Sequence, residues 1–182
     1  MAKNTTNYAK ESKALETPTD LSRDGVAQIS SELRLLLADV FALYLKTKNF
    51  HWHMSGAHFR DYHLLLDEQS DQIFAMTDDL AERARKIGGL TIHSISEISQ
   101  QQRLKDNNLE FVAPEDMLAE LCADNQRLVQ FMRATHEVCD KYNDVATASF
   151  LENWIDETER RIWFLAESAG ARAHEKATAA GH

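Results

Sequence analysis

His63, Asp67, Asp71, Asp78 and Glu82 fall in one segment whose residues repeat at helical spacing. At 100° per residue these five side chains share a stripe roughly 100° wide over five turns. Leu65, Leu66, Ile73, Met76, Leu80, Ala84 and Ile87 gather on the opposite side. The ordinary account of such a stripe is the solvated face of an amphipathic helix. A solvated face usually alternates signs, however, and carboxylates spaced i,i+4 and i,i+7 repel one another. No lysine or arginine stands among these acids on the stripe. Carboxylates gathered with an imidazole suit iron, manganese or zinc, whereas calcium takes oxygen alone. His51, closing the preceding apolar stripe, adds a second imidazole.

Distance restricts how these ligands can cooperate. His63 and Glu82 are 19 residues apart, about 28 Å along a helix, and ligands of one ion lie far closer than that. The His63/Asp67 pair and the Asp78/Glu82 pair therefore cannot share an ion within one chain. Two copies of the helix, antiparallel about a twofold axis, would bring the pairs together and generate two identical sites. A di-metal centre inside one bundle is built from Glu-x-x-His motifs, and the sequence contains none.

The elements that must position these residues are long helices. Six glycines and two prolines in 182 residues are too few for a turn-dense β-sandwich or barrel. A first helix is expected from Asp20–Asp24 to about His53, with a stripe through Val26, Ile29, Leu33, Leu36, Leu37, Val40, Tyr44 and Leu45. Met54-Ser55-Gly56-Ala57 breaks it, and a second helix runs from about His58 to Ile87, where Gly88-Gly89 stops it. Residues 90–113 form a long connection with a short helix over Ser94–Gln101. Pro114 opens a third helix that ends near Lys141, and a fourth stops at Gly170. The expected fold is all-α, a ferritin-like four-helix bundle with a long helix 2–helix 3 crossover. The bundle takes residues 21–170, between flexible tails at 1–20 and 171–182.

Lys and Arg number 20 against 29 Asp and Glu, a net charge of −9. That balance argues against a domain whose main surface binds nucleic acid. No apolar run approaches the roughly 18 residues that would span a bilayer, and the first thirty residues are polar. A cytoplasmic protein with no membrane partner, starting near Met1, is expected. Cys122 and Cys139 lie 17 residues apart in one helical pattern. That is about 25 Å, too far for a disulfide within the helix, so both are expected to be buried free thiols.

The stretch from Asn49 to His63 (NFHWHMSGAHFRDYH), the following Leu66-Asp67-Glu68 and the later Asp78-Asp79-Leu80-Ala81-Glu82-Arg83 resemble the signature of the Dps family, the miniferritins. The resemblance covers roughly residues 22–170. It implies a ferroxidase whose metal ligands are His51, His63, Asp67, Asp78 and Glu82, at twofold interfaces of a hollow dodecamer. The substrates it implies are Fe(II) and hydrogen peroxide, with Fe(III) mineral stored in the cavity and DNA thereby protected from oxidative damage. Trp52 would be an accessory electron donor, with packing at a helix end and interface as the alternative. Asp144 is the candidate for an acidic entry pore, with stabilisation of a helix N-terminus as its other role.

Binding or compaction of DNA is the alternative function, with nucleoid association in the cell. Residues 1–23 carry Lys3, Lys10, Lys13 and Arg23 against Glu11, Glu16 and Asp20, and residues 171–182 carry Arg172 and Lys176 against Glu175. Twelve copies of a −9 chain would repel phosphate, so DNA binding is expected to be weak and salt-dependent, or absent.

Overall fold

Helices begin and end where punctuating residues stand. Ser22 Oγ accepts from the Gly25 N–H at 3.1 Å and opens α1 (Arg23–Trp52). Gly56, at φ +92°, turns the chain toward α2 (Phe59–Lys86). Gly88, also at φ +92°, ends that helix, and Gly89 lies directly on α1: a Cβ there would sit 1.8 Å from Ser30 Oγ. Ser94 Oγ accepts from the Glu97 N–H at 3.2 Å to cap the short α3 (Ile95–Gln101). In return the Glu97 carboxylate accepts from the His93 N–H at 2.8 Å, which holds that carboxyl below its usual range. Pro114 stands in the first turn of α4 (Pro114–Lys141), and Asp144 caps α5 (Val145–Ala169) by accepting from the Thr147 N–H.

The computed structural model describes residues 15–170, and no strand occurs among them. The α1/α2 and α4/α5 hairpins pack together, chiefly through α1 and α4, and α3 rests on α1. This is the expected four-helix bundle with a long crossover carrying a short helix. Ile29, Leu33 and Val40 from α1, Leu66 and Ile73 from α2, Leu118 and Leu128 from α4, and Leu151 and Leu165 from α5 are sealed in one core. Each such side chain stabilises the fold by about 1.5–3 kcal/mol relative to exposure. Leu45 departs from the expected stripe and is 58 % exposed. Among the described residues no helix is long and apolar enough to cross a membrane.

Charged groups tie the elements together from inside. Asp39, fully buried, accepts from the Arg103 and Leu104 backbone N–H groups and from the Arg103 guanidinium, pinning the crossover to α1. Lys46, also buried, joins α1 to α4 through Asp124 at 2.6 Å and Glu120 at 3.1 Å. Cys122 and Cys139 are buried and free, as expected.

Part of the expected N-terminal tail, residues 15–20, runs beside the end of α2, where the Leu15 carbonyl accepts from Arg85. Residues 1–14 and 171–182, with Lys3, Lys10, Lys13, Arg172 and Lys176, lie outside the described residues.

Candidate metal centre

The last turn of α1 and the first turns of α2 bring His51 and His63 face to face. Their rings stack at 3.7 Å between centroids, 18° from parallel. His51 Nδ1 lies 2.8 Å from the His63 carbonyl oxygen, and His63 Nδ1 lies 2.9 Å from the His51 carbonyl oxygen. A carbonyl can only accept, so each Nδ1 carries its proton and donates. The lone pair of each imidazole is thereby left on Nε2, the orientation a metal-binding histidine needs. Phe59, one turn before His63, stacks on that ring at 5.0 Å.

Asp67, one turn after His63, directs Oδ1 to within 3.8 Å of His51 Nε2. The same oxygen lies 2.5 Å from Lys48 Nζ. That hydrogen bond holds the Asp67 carboxyl below its ordinary value and raises the Lys48 ammonium above its own. Lys48 on α1 and Phe59 join the site without being among the expected ligands. Phe59 was legible from its i,i+4 spacing to His63. Lys48 was not, because its partner is on the other helix of the hairpin.

Asp71, Asp78 and Glu82 continue the stripe along α2, all exposed. Glu82 pairs with Lys86 at 2.8 Å on the solvent face. Asp67 and Glu82 lie on this one helix, about 22 Å apart along its axis. Among the described residues, no three His, Cys, Asp or Glu side chains of one chain gather closely enough to hold an ion. The chain thus presents an imidazole-rich set at one end of α2 and a carboxylate pair near the other.

Trp52 follows His51 and is 61 % exposed. His53 bonds back to the Asn49 carbonyl at 2.8 Å, and His58 stands exposed at the start of α2. Asp144 is buried, accepting from the Thr147 N–H and pairing with Arg83 at 2.5 Å. Its carboxylate serves the α5 N-terminus and the α2–α5 contact.

A ferritin-like domain family matches residues 31–171. A DNA protection during starvation protein of Halobacterium salinarum is 31% identical over 161 residues, 87% of this chain and 85% of that protein. The chain belongs to the Dps family. A low temperature-induced protein of Nostoc is 33% identical to this Dps chain over 148 residues, 81% of each. The crystal structure of an archaeal Dps homologue from Halobacterium salinarum superposes with a TM-score of 0.80 at 26% identity, covering 86% of this chain and 88% of that one.

Proposed function

We propose that this Dps chain oxidises Fe(II) at sites shared between two subunits, His51, His63 and Asp67 coming from one and Asp78 and Glu82 from the other. The observation that carries this reading is the reciprocally bonded pair His51/His63, which leaves both Nε2 atoms to a ligand beside the Asp67 carboxylate. The separation of Asp78 and Glu82 along α2 supports a second subunit as the source of the remaining oxygens.

Iron is the substrate. The three carboxylates supply hard anionic oxygens, which favour Fe(III) over Fe(II), and the imidazoles leave positions open to the oxidant. Hydrogen peroxide takes one electron from each of two ferrous ions, its O–O bond breaks, and its oxygens leave as hydroxide or water. Hydrolysis of the ferric ions then releases protons and yields mineral in the hollow of a dodecamer. Consumption of Fe(II) and peroxide together suppresses hydroxyl-radical formation, which is how such a cytoplasmic shell protects DNA. Trp52, next in sequence to His51 and exposed, would donate an electron when oxidant exceeds iron. Direct binding of DNA is the second reading, and the net charge of −9 weighs against it.

Gel filtration after anaerobic loading with Fe(II) and peroxide, recording protein and iron together, tests the proposal. Iron should co-elute with a species twelve times the 20.7 kDa chain mass. A large species free of iron would remove the ferroxidase reading, and a monomer or dimer would remove the shell.

A further inference from the structure

Phe74 stands on the face of α2 that carries the candidate ligands. Counted at 100° per residue from His63 it falls at roughly 20°, inside the stripe of His63, Asp67, Asp78 and Glu82. It is 50 % exposed. Its ring lies 4.9 Å from that of Tyr44 on α1, tilted by 42°. Tyr44 and Leu45 precede Lys48 by about one helical turn and so share its side of α1. Lys48 reaches Asp67 on α2, which places that side of α1 beside the stripe. The exposed Leu45, Tyr44 and Phe74 therefore interrupt an otherwise acidic face with apolar surface.

The position of this patch along α2 points to its occupant. His63 is as far from Asp67 as Asp78 is from Glu82. One antiparallel register of two α2 helices therefore sets His63 against Glu82 and Asp67 against Asp78 at once, and its twofold axis crosses α2 between Gln72 and Ile73. Phe74 follows that point directly, so the two Phe74 rings would stand about 4.5 Å apart along the helix axis. At the ends of the seam charges are complementary, since Lys48 and the imidazoles of one copy meet the acids of the other. At its centre they are not: Asp71, as near the axis as Phe74, brings two carboxylates that repel. Attraction at the axis must then come from apolar surface.

We infer that Tyr44, Leu45 and Phe74 form the apolar centre of a seam that receives the same patch of a second copy of this chain, and that this contact, formed without metal, sets the register in which the two half-sites meet. The inference rests on the divided-site reading for its register. The exposure of the patch does not depend on iron chemistry.

Cross-linking in metal-free protein tests this directly. Asp71→Cys places a thiol beside the axis and leaves the patch intact, while Cys122 and Cys139 are buried. With helices packed about 8–10 Å apart, a short bis-maleimide spans the two introduced thiols. Most chains should run as dimers on a denaturing gel, and chains that remain monomeric would overturn the inference. Phe74→Glu adds two more carboxylates at the axis and should weaken association at least tenfold by sedimentation, with the circular dichroism of the unaltered protein. Unchanged association would contradict an apolar seam at Phe74. Should Phe74→Glu fail to fold, the cross-link decides. Failure of the divided site reads differently. A cross-link at position 71, with no complementation between His63→Ala and Glu82→Gln chains, would leave the seam and remove the shared iron site. Complementation without the cross-link would remove the seam alone.

Discussion

Lys48 Nζ lies 2.5 Å from Asp67 Oδ1, so a carboxylate proposed to bind iron is already held by an ammonium ion from the neighbouring helix. An arriving cation must displace that ammonium before it can use both Asp67 oxygens. A half-exposed ion pair is screened by solvent, so displacing the ammonium costs little. Lys48→Met should therefore tighten Co(II) or Fe(II) binding at the site by a factor of roughly two to five. Calorimetric titration measures this, and unchanged or weaker affinity would show that Lys48 does not compete.

The same pair has a pH signature. Lys48 holds the folded Asp67 carboxyl below its ordinary 3.8. Its contribution to stability is complete above that value and is lost as pH falls through the lowered folded pKa. In Lys48→Met the Asp67 carboxyl should titrate at higher pH, which carboxyl-detected NMR reads directly. A titration identical in both proteins would show that the 2.5 Å contact is not populated in solution.

Burial pushes the Cys139 thiol up to about 12 and raises Cys122 as well. A thiolate, not a thiol, attacks disulfide reagents. The folded protein should leave a thiol reagent such as Ellman's unreacted at pH 8, while two thiols per chain react in guanidinium. Rapid reaction of either cysteine in the native protein would contradict this.

The helices and their ends were legible because their punctuation is local: Ser22, Gly56, Gly88, Ser94 and Pro114 each act on residues within one turn. The candidate ligands were legible for a related reason, since one helix carries most of them at i,i+4 spacing. Buried charges were not. Asp39 and Lys46 give no local sign of burial, because their partners Arg103 and Asp124 lie 64 and 78 residues away. Arg161 makes its hydrogen bonds with neutral groups, Asn125 Oδ1 and Thr158 Oγ1, which no charge pattern announces. Leu45 shows the converse, an apolar residue that fits the pattern of the stripe yet faces outward.

Asp39 is the sharpest test of those hidden charges. Asp39→Ala leaves the Arg103 guanidinium and two backbone N–H groups without their acceptor. The cost should be about 3 kcal/mol, seen as a fall in Tm of roughly 10 °C. A shift under about 2 °C would place Asp39 among ordinary surface substitutions.

The net charge of −9 leaves the lysines outside the bundle as the principal contacts for DNA. Mobility-shift experiments should find no complex near 0.15 M salt and a weak one at low salt, removed by deleting residues 2–20. A tight complex at physiological ionic strength would make DNA binding the primary activity.

The central claim is that each iron site is divided between two subunits, and complementation tests it most directly. His63→Ala removes one half of every site, and Glu82→Gln removes the other. Each variant alone should oxidise Fe(II) with peroxide at least tenfold more slowly than the unaltered protein, by analogy with the loss of a metal-site group. In a mixed dimer, the intact histidines of one chain meet the intact acids of the other at one of the two sites. Co-refolding the two variants in equal amounts should restore about a quarter of the original rate. A mixture no faster than either variant alone would contradict the divided site.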